Sequence, residues 1–191
     1  MIPINTLIGA YCTGYFPMAT TEGLTWFSPR YRGVLPLDAF HLSRRLARVV
    51  RGDRFEVTVN RDFRRVIAAC ASRPDDAGNW IDTEIIGSYS ALHDAGFAHS
   101  LEVWREGSLA GGLYGVSLGG VFFGESMFHA ETDASKVALC WLVDRLRDRK
   151  YRLLDLQWVT PHLARFGAIE LSRTEYLRRL ETGLSVECVF A

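Results

Sequence analysis

Gly124-Glu125-Ser126-Met127-Phe128, then Asp133-Ala134-Ser135-Lys136 and, after a helix-like stretch, Leu153-Leu154-Asp155-Leu156-Gln157, decide how this chain folds. The first and last blocks read as strands. Between them Ala134, Val137, Ala138, Trp141, Leu142 and Leu146 recur at helical spacing. A strand–helix–strand crossover of this kind is right-handed and makes its two strands parallel neighbours. Alternation along the second strand predicts Asp155 and Gln157 on one face and Leu154 and Leu156 on the other. A carboxylate and an amide on an otherwise apolar strand are costly unless they are hydrogen-bonded or put to use.

Upstream, residues 99–104, 108–116 and 121–128 read as a three-strand meander that turns at Glu106-Gly107 and Gly119-Gly120. Before it come a basic helix over residues 42–51, a strand over 55–59, a helix capped by Asn60 running to Ala71, and a helix capped by Asp82 and stopped at Gly96. A short helix over 161–166 and another over 173–181 follow the last strand. Residues 4–14 read as a short helix, and Phe16-Pro17-Met18 and Trp26-Phe27-Ser28-Pro29 as extended, aromatic stretches. The expectation is an α+β (mixed α/β) domain over residues 36–191, its sheet flanked by helices, with residues 1–35 as a small N-terminal appendage.

A chain of 191 residues supports one core that folds unaided. Lysine plus arginine balance aspartate plus glutamate at 22 each, so no global field advertises a polyanionic partner. Cys12, Cys70, Cys140 and Cys188 are far apart and form no CxxC pair, which fits free thiols in a reducing compartment. The start, Met1-Ile2-Pro3-Ile4-Asn5, lacks the pattern of a signal peptide, and no uncharged apolar run approaches ~20 residues, so a cytoplasmic protein is expected. No GxxxxGK[ST] is present, and the five histidines have no zinc-type spacing with cysteines, so neither a P-loop nor a metal is expected. The junction after Phe128 has no glycine-rich pyrophosphate cradle, which argues against an acetyl-CoA enzyme.

The residue types leave several roles open. Asp155 can orient Gln157 or take a proton itself, and the Gln157 carbonyl can accept an N–H from an amine nucleophile; both can also simply satisfy loop backbone. Glu125 can bind an ammonium or sit in an edge salt bridge. Leu113, Phe122, Met127, Leu139, Leu142, Leu146 and Leu154 make an apolar set suited either to plain core or to a pocket for a Leu- or Phe-sized side chain. Trp26, Phe27, Trp80 and Tyr89 can stack on nucleobases or pack. Arg44, Arg45, Arg48 and Arg51 form a helical stripe that is either a solvated face or a phosphate grip.

The chain resembles the leucyl/phenylalanyl-tRNA–protein transferases. The resemblance is carried by Gly14-Tyr15-Phe16-Pro17, Trp26-Phe27-Ser28-Pro29, Cys70-Ala71-Ser72-Arg73, Trp80-Ile81, Glu102-Val103-Trp104 and Gly111-Gly112-Leu113-Tyr114-Gly115-Val116. It continues through Gly124-Glu125-Ser126-Met127-Phe128, Ala134-Ser135-Lys136 and Leu154-Asp155-Leu156-Gln157, in order along nearly the whole chain. It implies an N-acetyltransferase-like (GNAT) splayed mixed sheet that uses aminoacyl-tRNA in place of acetyl-CoA. The implied reaction moves Leu or Phe, with Met as a further donor, to the N-terminal amine of proteins starting with Lys or Arg, marking them for degradation.

Carried over by position, Asp155 and Gln157 look like the catalytic pair, with Glu125 near the amine. Leu113, Phe122, Met127, Leu139, Leu142 and Leu154 would form the aminoacyl pocket. Trp26, Phe27, Trp80 and Tyr89 would hold the terminal adenosine, and Arg44, Arg45, Arg48 and Arg51 the acceptor stem. The ester arrives activated, so neither ATP, metal nor other cofactor is expected, and a monomer is expected. The sequence departs from the family in having Trp-Phe where Trp-Trp is common and Thr160 where Asn is frequent, and its N-terminal region reads as shorter. An acyl-CoA-dependent N-acyltransferase and a non-catalytic tRNA-binding module of the same fold are the alternatives.

Overall fold

Tight turns set the order of the sheet. Glu106 and Gly107 both take left-handed conformations (φ 50° and 77°), as a two-residue hairpin turn demands, and join β5 (Ala98–Arg105) to β6 (Ser108–Leu118). A second turn at Gly119-Gly120 leads into β7 (Val121–His129), completing the expected meander. The chain then climbs through α5 (Ala134–Asp148) and returns as β8 (Leu153–Gln157), parallel to β7 as the crossover predicts. This computed structural model describes residues 1–73 and 80–191.

The remaining strands complete a seven-stranded sheet in the order β4-β5-β6-β7-β8-β3-β9, with β3 spanning Tyr31–Val34, β4 Glu56–Val59 and β9 Ile169–Ser172. β1 (Phe16–Thr20) and β2 (Gly23–Phe27) form a separate hairpin. Helices cover both faces of the sheet. α1 (Ile4–Cys12), α3 (Phe63–Ala71), α4 (Thr83–Asp94) and α7 (Arg173–Leu184) share one apolar core, while α2 (Arg44–Arg51), α5 and α6 (Pro161–Ala164) share the other. The fold is therefore mixed α+β, a sheet flanked by helices. Among the described residues, no helix is long and apolar enough to cross a membrane, and all four cysteines are free thiols.

Several sequence expectations shift. A division at residue 35 cuts through the sheet, because β3 lies between β8 and β9 and its Arg32 reaches Asp155. The helix expected to start at Asn60 starts later. Asn60 is left-handed (φ 57°), and Asp62 is the cap, its carboxylate accepting from the Arg65 N–H. The first helix ends at Cys12 rather than residue 14. β3 and β9 carry too few alternating apolar residues to announce themselves locally; they exist because the sheet edge beside β8 offers them partners.

Two irregularities shape the middle of the sheet. The β6–β7 ladder steps from Tyr114↔Ser126 to Gly115↔Gly124, so Glu125 is the extra residue of a bulge. The β3–β8 ladder steps from Val34↔Asp155 to Gly33↔Gln157, leaving Leu156 as the extra residue there. Gly33 is needed at that step, since a Cβ would sit 2.5 Å from the carbonyl carbon of Trp158. Between β7 and β8 the pairing ends at Phe123↔Asp155, so the two strands part where Glu125 and Gln157 stand.

Candidate active site

A cavity of about 300 Å³ fills the gap where β7 and β8 diverge. On the α5 side it is apolar, walled by Leu113, Met127, Leu139, Leu142, Leu156 and Leu163. On the side of the hairpin it is aromatic, with Phe16, Trp80 and Trp158. Glu125 and Gln157 close it between these walls. The cavity exists because the bulges end regular pairing, so side chains from both sheet faces reach one space.

Glu125 is held from behind. Tyr11 of α1 donates to its Oε1 at 2.8 Å and Tyr89 of α4 to its Oε2 at 3.2 Å, and the two tyrosine hydroxyls also touch each other. Burial pushes the Glu125 carboxyl up to about 8, against the pull of the Tyr11 hydrogen bond and with some help from the Asp155 charge. The group is enclosed by protein atoms although part of it stays accessible through the cavity. Burial also raises both tyrosines well above the ordinary phenol value, with the Glu125 charge as the next cause, so they remain donors.

Gln157 faces Glu125 with its amide Nε2 at 3.3 Å from Oε1, which leaves its amide oxygen as an acceptor. Its backbone is left-handed (φ 58°), a conformation that costs a residue with a Cβ roughly 1–2 kcal/mol. That conformation is fixed from the protein interior. The Gln157 backbone N–H donates to Asp155 Oδ1 at 2.8 Å. Asp155 in turn accepts from Arg32 Nε and Nη2 and, at 2.7 Å, from the Tyr176 hydroxyl of α7. Arg32 is itself sandwiched between the rings of Phe16 and Tyr176, at 4.4 and 4.7 Å from their centroids.

The structure places the sequence candidates unevenly. Glu125, Gln157, Leu113, Met127, Leu139 and Leu142 line the cavity. Asp155 does not. It is fully buried, its oxygens are taken, and it touches Gln157 through the backbone, so the expected side-by-side display on one strand face gives way to a buried anchor behind a twisted strand end. Phe122 and Leu154 are also fully buried and belong to the core under α5 rather than to the cavity. Of the aromatics, Trp80 lines the cavity; Phe27 stands a layer back, 6.0 Å from Phe16 and 6.1 Å from Trp158, and Trp26 packs on the core of α1, α3 and α4. Tyr89 has no free ring face for a base, because it is fully buried against Tyr114 with its hydroxyl on Glu125.

On α2, Arg44, Arg45, Arg48 and Arg51 all reach the surface, but Arg45 is committed to Asp133 through contacts of 2.6 and 2.8 Å. Residues to which sequence reasoning gave no role include Tyr11, Arg32, Tyr176, Arg73 and Trp158. Their partners lie across the fold, 123 residues away for Arg32 and Asp155, and no local pattern links them. Thr160, the position that departs from the family pattern, caps α6 by accepting from the Leu163 N–H and also borders the cavity. Among the described residues, no cluster of His, Cys, Asp and Glu is arranged to hold a metal ion.

A family model described as leucyl/phenylalanyl-tRNA protein transferase matches residues 34–181. The chain belongs to the leucyl/phenylalanyl-tRNA–protein transferase family. A relative of that name from Rhizorhabdus wittichii is 54% identical over 95% of this chain and 75% of its own length. Others, from Zymomonas mobilis and Gloeobacter violaceus, are 51% and 50% identical, over 97% and 96% of this chain and 70% and 95% of theirs. A GNAT family acetyltransferase from Brucella melitensis solved with acetyl-CoA superposes with a TM-score of 0.49 at 18% identity, over 62% of this chain and 87% of its own. Family membership makes this chain an aminoacyltransferase enzyme, and the Glu125–Gln157 cavity is its candidate active site.

Proposed function

We propose that this enzyme moves Leu or Phe from aminoacyl-tRNA to the N-terminal amine of proteins that begin with Lys or Arg, marking them for degradation. The observation that carries the reading is the junction of an apolar cavity with a paired carboxyl and amide, Glu125 and Gln157, at 3.3 Å. The donor's side chain fills the space between Leu113, Met127, Leu139 and Leu142, which leaves its ester carbonyl beside that pair. Trp80 and the aromatic wall take the terminal adenosine.

The chemistry needs positioning more than force, since the ester is already activated. The Gln157 amide oxygen accepts one N–H of the incoming amine and aims its lone pair at the carbonyl carbon. As the C–N bond forms, Glu125 in its ionised form takes the amine proton; a carboxyl pushed up to about 8 reaches that form over the same range in which an amine of pKa near ~7.7–8.0 becomes neutral. The C–O bond to the ribose then breaks and the leaving ribose oxygen takes that proton from Glu125. Asp155 stays out of the proton path and keeps Gln157 in its strained pose. Nothing in the sequence of steps calls for ATP or a metal.

The test is transfer of labelled Leu or Phe from charged tRNA to peptides starting with Lys, Arg or Ala. Transfer to the Lys and Arg peptides with little to Ala is expected. Acylation from an acyl-CoA without tRNA would overturn the reading, and so would tight tRNA binding with no transfer.

A further inference from the structure

The cavity continues past Met127. Arg73, Met127 and His162 also line a second hollow of about 630 Å³, whose other walls include His129, Asp133 and Lys136. The reaction cavity and this hollow therefore share a wall along β7. Cationic and cation-capable groups dominate it: Arg73, Lys136, His129 and His162. Asp133 is its one acid among the described residues, and that charge is answered twice, by Arg45 at 2.6 and 2.8 Å and by Lys136 at 2.7 Å. Those hydrogen bonds, Arg45's first, hold the Asp133 carboxyl well below the usual range. His162 is pulled below its ordinary value by burial and then by Lys136, Arg165 and His129, as expected where the surroundings are positive.

Arg45 sits on α2, so the Arg45–Asp133 pair joins the wall of this hollow to the helix that carries Arg44, Arg48 and Arg51. Two cations, Arg45 and Lys136, share the single Asp133 charge, so with Arg73 the hollow is net positive where it adjoins the helix of the exposed basic stripe. An anionic strand fits such a hollow; a Lys or Arg side chain of the acceptor does not, because Asp133 already has its cations.

We propose that this hollow binds the phosphate 5′ of the donor's terminal adenosine and guides the donor strand from the reaction cavity to α2. The proposal rests on the transferase reading of the cavity.

The test is titration of the protein with adenosine and with adenosine 5′-monophosphate, probes that differ by the phosphate alone. Wild type should bind the monophosphate about tenfold more tightly, the size of one charge-assisted hydrogen bond. Lys136→Met, which leaves Asp133 its Arg45 partner, and His129→Ala, at an exposed position, should each shrink that advantage while leaving the adenosine affinity within about twofold of wild type. Equal affinity for the two probes in wild type would overturn the proposal. So would an advantage that survives in both variants. The titration involves no transfer, so a failed transfer assay beside an intact phosphate advantage would count against the transferase reading alone.

Discussion

Arg32 and Asp155 form a two-pronged ion pair, at 2.7 to 3.1 Å, that is 1% and 0% exposed and stands directly behind Gln157. A pair so placed acts on the reaction through the residue it anchors. Removing one partner leaves the other charge buried and alone, which costs about 3–5 kcal/mol. Asp155→Ala is therefore expected to lower the unfolding midpoint sharply as well as turnover. Replacing both partners together, Arg32→Met with Asp155→Leu, should recover much of the stability, since apolar replacements of buried pairs are often neutral. Activity should stay low, because the Gln157 N–H has lost its acceptor. Denaturant midpoints and transfer rates on the same samples check this; recovered activity in the double variant would remove Asp155 from its anchoring role.

Gln157 separates pose from chemistry. Its left-handed backbone suits glycine, so Gln157→Gly should stay within about 1 kcal/mol of wild-type stability while losing the amide that meets the amine. A large fall in kcat with a small change in tRNA affinity is expected. Near-normal kcat in this variant would show that the amide takes no part.

Much of this arrangement is written locally, and the rest is not. The meander, α5 and β8 follow from periodicity and from the Glu106-Gly107 turn, and α4 from its Asp82 cap. The candidate acid and amide are conspicuous because they interrupt apolar strands. The bulges at Glu125 and Leu156 leave no such mark, since a bulge is a property of two strands in register. That is why alternation misplaced Asp155 relative to Gln157. Tyr11 and Tyr89 read as ordinary helix residues; only the approach of α1 and α4 to β7 turns their hydroxyls onto Glu125. Phe122 and Leu154 fit a pocket by type, yet they sit on the still-paired part of β7 and β8, beneath the point where the gap opens.

Glu125 gives a pH signature. Its folded-state carboxyl is raised to about 8, mainly by burial, from an unfolded value near 4.5. Between those values the folded protein holds a proton the unfolded chain has released, so stability falls as pH rises. The contribution is fully present below about 4.5 and gone above about 8. Glu125→Gln should flatten that part of the stability curve. The difference between wild type and variant isolates the effect from other titrating groups such as His99, which burial lowers to about 4. Identical slopes for the two proteins between about 4.5 and about 8 would place the Glu125 titration elsewhere.

The donor pocket should discriminate by size. Leu142 is almost fully buried on α5 and faces the cavity, so Leu142→Phe reduces the space left for a donor side chain. Phe transfer is expected to fall more than Leu transfer, by about tenfold in the ratio of kcat/KM, within the range a pocket of this kind can enforce. Equal losses for the two donors, with a lower unfolding midpoint, would mean that the substitution damages the core instead.

The basic stripe on α2 divides into free and committed charges. Arg45 is already neutralised by Asp133, whereas Arg48 reaches solvent one turn further on. Each phosphate released from contact lowers the salt slope of tRNA binding by about 1. Arg48→Ala should produce that change and Arg45→Ala a smaller one, because the Arg45–Asp133 pair contributes little net charge to the surface. Measuring log Kd against log salt concentration for wild type and the two variants decides the matter. A larger slope change for Arg45 than for Arg48 would mean that tRNA draws Arg45 away from Asp133 on binding, and an unchanged slope in both would take α2 off the path of the donor.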